Sequence, residues 1–148
     1  MRCGFAIQCP KLPVVAEPDS PEAGAAVTHG RTGRPEVAVI GPCVSGKSTV
    51  AAALRAQGVA AHSVAQEHTI IPDLWKHQRP DLLVYLDVSY EEAARRREIF
   101  WDRERHERQK KFLTPAREAA DLVIHTDGLP VSEVVGRILE RLRQRGRR

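Results

Sequence analysis

A chain of 148 residues fits one modest domain with room for a real core, and 42% apolar against 28% charged residues is ordinary globular composition. The formal net charge of +4 favours anionic partners, although Arg141, Arg143, Arg145, Arg147 and Arg148 supply much of the excess and suit the negative pole of a terminal helix. Cys3, Cys9 and Cys43 make no close pair, no apolar run approaches a membrane span, and the first residues lack a secretory pattern. A disulfide framework, a cysteine zinc site and a membrane partner are therefore not expected, and a cytoplasmic protein is.

Residues 1–35 hold five of the ten prolines and show no sustained hydrophobic period, so they are expected to form a disordered tail ahead of a domain over residues 36–148. The apolar run Val37-Ala38-Val39-Ile40 reads as a buried strand. It runs into Gly41-Pro42-Cys43-Val44-Ser45-Gly46-Lys47-Ser48, which fills every fixed position of the phosphate-binding pattern G-x-x-x-x-G-K-[ST]. The residue types have physical reasons. Gly41 and Gly46 let the backbone turn tightly and approach an anion, and the amides of residues 44–49 converge on it at the positive end of the following helix. Lys47 would reach the outer phosphates as a mobile charge, the Ser48 hydroxyl would take one position on Mg²⁺, and Thr49 adds a donor. Cys43 occupies a free position of the pattern and reads as a tolerated small residue.

A helix is expected over residues 46–57, with Val50, Ala53 and Leu54 facing the sheet and Gly58 ending it. A second strand over residues 61–65 delivers Gln66-Glu67-His68 to its carboxyl end, the edge where parallel α/β sheets bind ligands. Residues 70–78 make a short helical connector with Trp75 as an apolar anchor. Residues 81–88, DLLVYLDV, read as a central parallel strand, and Ser89 caps the helix after it. Residues 90–112 mix acids and bases at helical spacing and predict an exposed helix laced with ion pairs; Thr114-Pro115 marks a break or a fresh helix start. Residues 121–126, DLVIHT, form the fourth strand, closed by Asp127-Gly128. The last helix sets Val131, Val134, Val135, Ile138, Leu139 and Leu142 on one face. Four strands alternating with helices predict a three-layer α/β domain with parallel strand order 2-1-3-4.

Three segments, GPCVSGKST, LLVYLDVSYEEAARRR and ADLVIHTDGLPVSEVVGRILERL, resemble the small P-loop kinases, the superfamily of adenylate, shikimate, cytidylate and dephospho-coenzyme A kinases. The resemblance implies a P-loop NTPase sandwich that uses ATP and Mg²⁺. It implies that Arg96 sits near the adenine and phosphates, that Arg97, Arg103 or Arg105 close over the γ phosphate, and that the backbone of residues 126–129, Asp127 and Gly128 included, contacts adenine. A solvated helix face accounts for the same arginines without any ligand. The chain departs from these kinases in one place. Residues 59–80 are too few for a second strand, an acceptor-binding region and a further strand bearing the Walker B acid, and Asp87 is expected to cap or orient the next helix and not to hold metal.

That shortage makes residues 61–65 the expected neighbour of the first strand and directs attention to Glu67, either as a ligand of Mg²⁺ or its water, or as the general base for an acceptor hydroxyl. An exposed acid capping the next helix is the plain alternative. Three functions remain open from residues alone: a minimal ATP-dependent phosphotransferase with a small or macromolecular acceptor, a nucleotide-binding module without efficient turnover, and nucleic-acid binding through the arginine-rich helices.

Overall fold

Residues 35–66 and 73–147 are described by the computed structural model of the chain; all but the last residue of the expected tail over 1–35, and the Glu67 and His68 positions, lie outside them. The first strand, β1 (Glu36–Ile40), leads through the glycine loop to α1 (Lys47–Ala56), and β2 (Ala60–Ser63) comes next. The chain continues through α2 (Leu74–His77), β3 (Leu82–Asp87), α3 (Tyr90–Arg96), α4 (Arg103–Phe112), α5 (Thr114–Ala119), β4 (Leu122–His125) and α6 (Val131–Gly146).

The strands form one parallel sheet in the order β2-β1-β3-β4. Val37 pairs with Ala61 on one side and Leu82 on the other, and Leu86 pairs with Ile124, so all four carboxyl ends lie along one edge. Every residue of β3 is buried, as its unbroken apolar run requires of a strand covered on both faces. Alternation along the strands divides the core. Val37, Val39, Leu82, Val84 and Leu86 pack with Val50 and Leu54 of α1 and Val134, Val135 and Ile138 of α6. Ala38, Ile40, Leu83 and Tyr85 pack on the opposite face with Trp75 of α2, Leu113 between α4 and α5, and Ala116 of α5. Val131, expected in the α6 stripe, is 39% exposed.

Local chemistry sets the ends of the elements. Gly58, at φ 79°, terminates α1, with its N–H on the Arg55 carbonyl and the Val59 N–H on that of Leu54. Ser89 Oγ accepts from the Glu92 N–H at 3.1 Å, the cap expected from the sequence, and Asp102 Oδ1 accepts from the Arg105 N–H at 2.8 Å. That second cap shows why residues 90–112 are two helices and not one: Arg97 turns extended at the end of α3, and Asp102 starts α4 afresh. Among the described residues no helix is long and apolar enough to cross a membrane.

Candidate functional site

The loop after β1 comes close to the central strand because residue 41 has no side chain. A Cβ there would lie 2.2 Å from the Leu86 carbonyl oxygen and 2.8 Å from Ser45 Oγ. Gly46 is needed for a different reason: nothing crowds it, but its φ of 95° lies where side-chain-bearing residues are strained. Val44, at φ 64°, takes up such a conformation even though it is β-branched, so the loop stores strain at its tip.

Because Gly46 supplies no side-chain cap, the first amides of α1 receive none from it, and Ser48 and Thr49 are exposed beside them. Lys47 Nζ lies back over the loop, donating to the carbonyls of Gly41 and Pro42 at 2.9 Å each. Ser45 Oγ is buried without a hydrogen-bond partner among the described residues.

The loop forms one wall of a cleft of about 750 Å³ at the carboxyl edge of the sheet, well within the size range of small-molecule sites. Residues 44–50 line that wall; Glu92 and arginines 95–97 from the end of α3 line a second; Thr126 and residues 128–131 complete it. Residues far apart in the chain meet here because β1, β3 and β4 all end at this edge. Lys47 and three arginines face a single carboxylate, an excess of positive charge suited to an anion.

Arg96 is held in a fixed pose. Its Nε donates to Glu92 Oε1 at 2.8 Å, its Nη1 to Thr126 Oγ1 at 3.1 Å and its Nη2 to the Thr126 carbonyl, which leaves two of its five N–H groups for other partners. Thr126 is itself anchored, its N–H and hydroxyl both donating to the Asp87 carbonyl at 2.8 and 3.1 Å. Hydrogen bonds from Arg95 first and Arg96 second hold the Glu92 carboxyl far below its usual value of 4.5, at about 2.

The structure thus brings Val44, Ser45, Gly46, Lys47, Ser48, Thr49, Arg96 and Gly128 to one cleft. Gly41, Pro42 and Cys43 do not line it. Asp127 is not on the cleft: its Oδ1 accepts from the Ser89 N–H at 3.0 Å and ties the β4–α6 turn to the start of α3. Asp87 does not cap α3, since Ser89 does. Its carboxylate faces Lys110 at 3.0 Å, His125 at 3.4 Å and Arg117 at 4.0 Å on the opposite face of the sheet from α1. Arg103 is engaged with Glu91, away from the cleft lining.

Sequence reasoning missed Gln109. Its side chain reaches the loop from α4, accepting from the Cys43 N–H at 3.2 Å and donating to Cys43 Sγ at 3.6 Å. No local signal marks a glutamine in a charged helix for that contact. On the arginine-rich end, Arg143 pairs with Glu140 at 3.2 Å and Arg145 with Asp121 at 2.9 Å, so these two members of the cluster are engaged within the fold.

No family model matches the chain, and no curated protein is similar to it at a significant level.

An ATP polyphosphate with its Mg²⁺ fits these residues on chemical grounds: a helix start with no side-chain cap, the Ser48 and Thr49 hydroxyls exposed beside it, and four cations around one cleft. Among the described residues, no three of His, Cys, Asp and Glu cluster as a preformed metal cage. Mg²⁺ on phosphates needs no such cage, because it keeps several waters and takes one or two protein ligands.

Proposed function

We propose that residues 36–148 form a P-loop NTPase sandwich that binds Mg-ATP and acts as a small kinase-like phosphotransferase. The observation that carries this reading is the meeting, in one cleft, of the glycine loop, Arg96 and the turn after β4. ATP supplies the phosphoryl group, and the chain's share is positioning and electrostatics. Lys47 leaves the Gly41 and Pro42 carbonyls to pair with the outer phosphates, and the amides of residues 44–49 hold them from the helix end. Ser48 is the metal-side hydroxyl. Arg96, fixed by Glu92 and Thr126, presents its two remaining N–H groups to the nucleotide, and Gly128 with Leu129 borders its base. Glu67, in the segment outside the described residues, is the acid proposed for Mg²⁺ or for the acceptor hydroxyl.

Calorimetry tests the binding. Lys47→Ala removes a charge-assisted contact of about 1.5–3 kcal/mol, a loss of roughly 10- to 150-fold in Mg-ATP affinity. Equal affinity in the two proteins overturns the assignment.

A second reading, a nucleotide-binding module without efficient turnover, is favoured by one observation. β2 pairs directly with β1, so no further strand lies between them to carry an acid, and Asp87 on the other side is engaged with Lys110. Phosphoryl transfer to any acceptor in a turnover assay with Mg-ATP decides for the first reading, and tight binding with no transfer across a broad acceptor panel decides for the second.

A further inference from the structure

α4, a helix whose composition marks it as solvent-facing, reaches the glycine loop at Cys43, a residue that does not line the cleft. His106, Gln109, Lys110 and Leu113 nevertheless recur at three- and four-residue spacing and turn one side of it inward. His106 is fully buried and donates through Nε2 to the Val88 carbonyl at 3.0 Å; Lys110 reaches Asp87; Leu113 is fully buried beneath the helix end. Gln109 sits between these anchors and is the member of the set that touches the loop. It grips Cys43 with both ends of its amide, Oε1 on the backbone N–H and Nε2 toward Sγ, across 66 residues of chain. The next residue is Val44, in a left-handed conformation that a β-branched residue keeps only where its surroundings over-determine it.

We propose that Gln109 is a positioning residue that holds the loop in its anion-binding shape and couples α4 to occupancy of the loop. The inference rests on the polyphosphate reading given above and assigns a role to a residue that reading does not use. A loop that closes on an anion carries residue 43 with it, and that motion is resisted or transmitted by an amide fixed to a helix anchored at three other points. By linkage, what steadies α4 also tightens the loop's hold on the anion, and the reverse.

Gln109→Leu, which keeps the volume and removes both hydrogen bonds, is the test. In the ligand-free protein, alkylation of Cys43 by iodoacetamide, followed at that residue by peptide mass spectrometry, rises about fivefold, as expected when the backbone bond is lost and the weaker one to sulfur adds little. Affinity for inorganic tripolyphosphate and for ATP falls by a similar factor of about five, adenosine affinity is unchanged, and the melting temperature stays within about 2 °C of wild type. An unchanged alkylation rate and unchanged tripolyphosphate affinity overturn the proposal. So does an equal loss for adenosine together with a lower melting temperature, which marks Gln109 as merely structural. Wild-type protein that binds neither ATP nor tripolyphosphate defeats the underlying reading and the coupling with it, and alkylation then reports separately whether Gln109 holds the loop.

Discussion

Substituting Gly41 by alanine measures how closely the loop is fitted to the sheet. The added Cβ would meet the Leu86 carbonyl oxygen at 2.2 Å, and real Cβ contacts essentially never fall below 3.0 Å, so one partner must retreat by about 0.8 Å. Neither moves freely. Leu86 lies in a fully buried strand paired on both sides, and Ser45 Oγ, at 2.8 Å, blocks an adjacent direction. Overpacking of this kind costs about 1–3 kcal/mol. Taking about 2 kcal/mol, and about 4 °C for each kcal/mol in a domain of this size, the melting temperature falls by about 8 °C. Two substitutions bracket the result. At Gly46, where no atom lies within 4 Å, alanine brings backbone strain alone, and the fall is smaller. At exposed Gly136, in the middle of α6 with open space around it, alanine stabilises by about 0.5–1 kcal/mol and the melting temperature rises. Thermal melts of the three variants carry the test. Gly41→Ala melting within about 2 °C of wild type would show that the close approach to Leu86 is not real.

Glu92 binds its proton more weakly folded than unfolded, so its contribution to stability is full above its ordinary value of 4.5 and is lost as the pH falls toward about 2. The gap in melting temperature between wild type and Glu92→Gln should be constant above about pH 5 and close on acidification toward pH 2; a gap that stays constant across that window refutes the pairing with Arg95 and Arg96. Lys110→Met leaves the 5%-exposed Asp87 with only its longer contacts to His125 and Arg117, costing about 1–3 kcal/mol in urea unfolding, and an added Asp87→Leu should recover part of that. Deleting residues 1–32 should leave Mg-ATP affinity and melting temperature unchanged, since that segment has no periodic apolar residues to contribute to a core; a fall of more than a few degrees on truncation refutes this. Glu67→Gln should weaken Mg-dependent ATP binding if Glu67 serves the metal, or spare binding and suppress transfer if it is the base; a variant equal to wild type in both measurements removes Glu67 from the site.

Local patterns determined a good deal of this protein. The run 37–40 leading into G-x-x-x-x-G-K-S marks strand, loop and helix because each requirement acts within a few residues: burial of a short apolar run, freedom at two glycines, propensity in an alanine-rich helix. The same holds for β3, for β4 with its Asp127-Gly128 turn, and for the α6 face. The strand order was legible as well, since residues 59–80 leave no length for an intervening strand and right-handed crossovers allow few arrangements. The tertiary structure decided whatever depends on partners distant in sequence. Asp87, read as capping or orienting the next helix, faces Lys110 of α4, Arg117 of α5 and His125 of β4; Asp127, expected to contact adenine through its backbone, has its side chain on the Ser89 amide 38 residues away; the charged stretch 90–112 divides at Asp102. Gln109 finds Cys43 only because the fold brings α4 to a loop 66 residues earlier in the chain. A side chain's type limits which bonds it can form, whereas the packing of whole elements determines which partner comes within about 3 Å, and no pattern of short period contains that information.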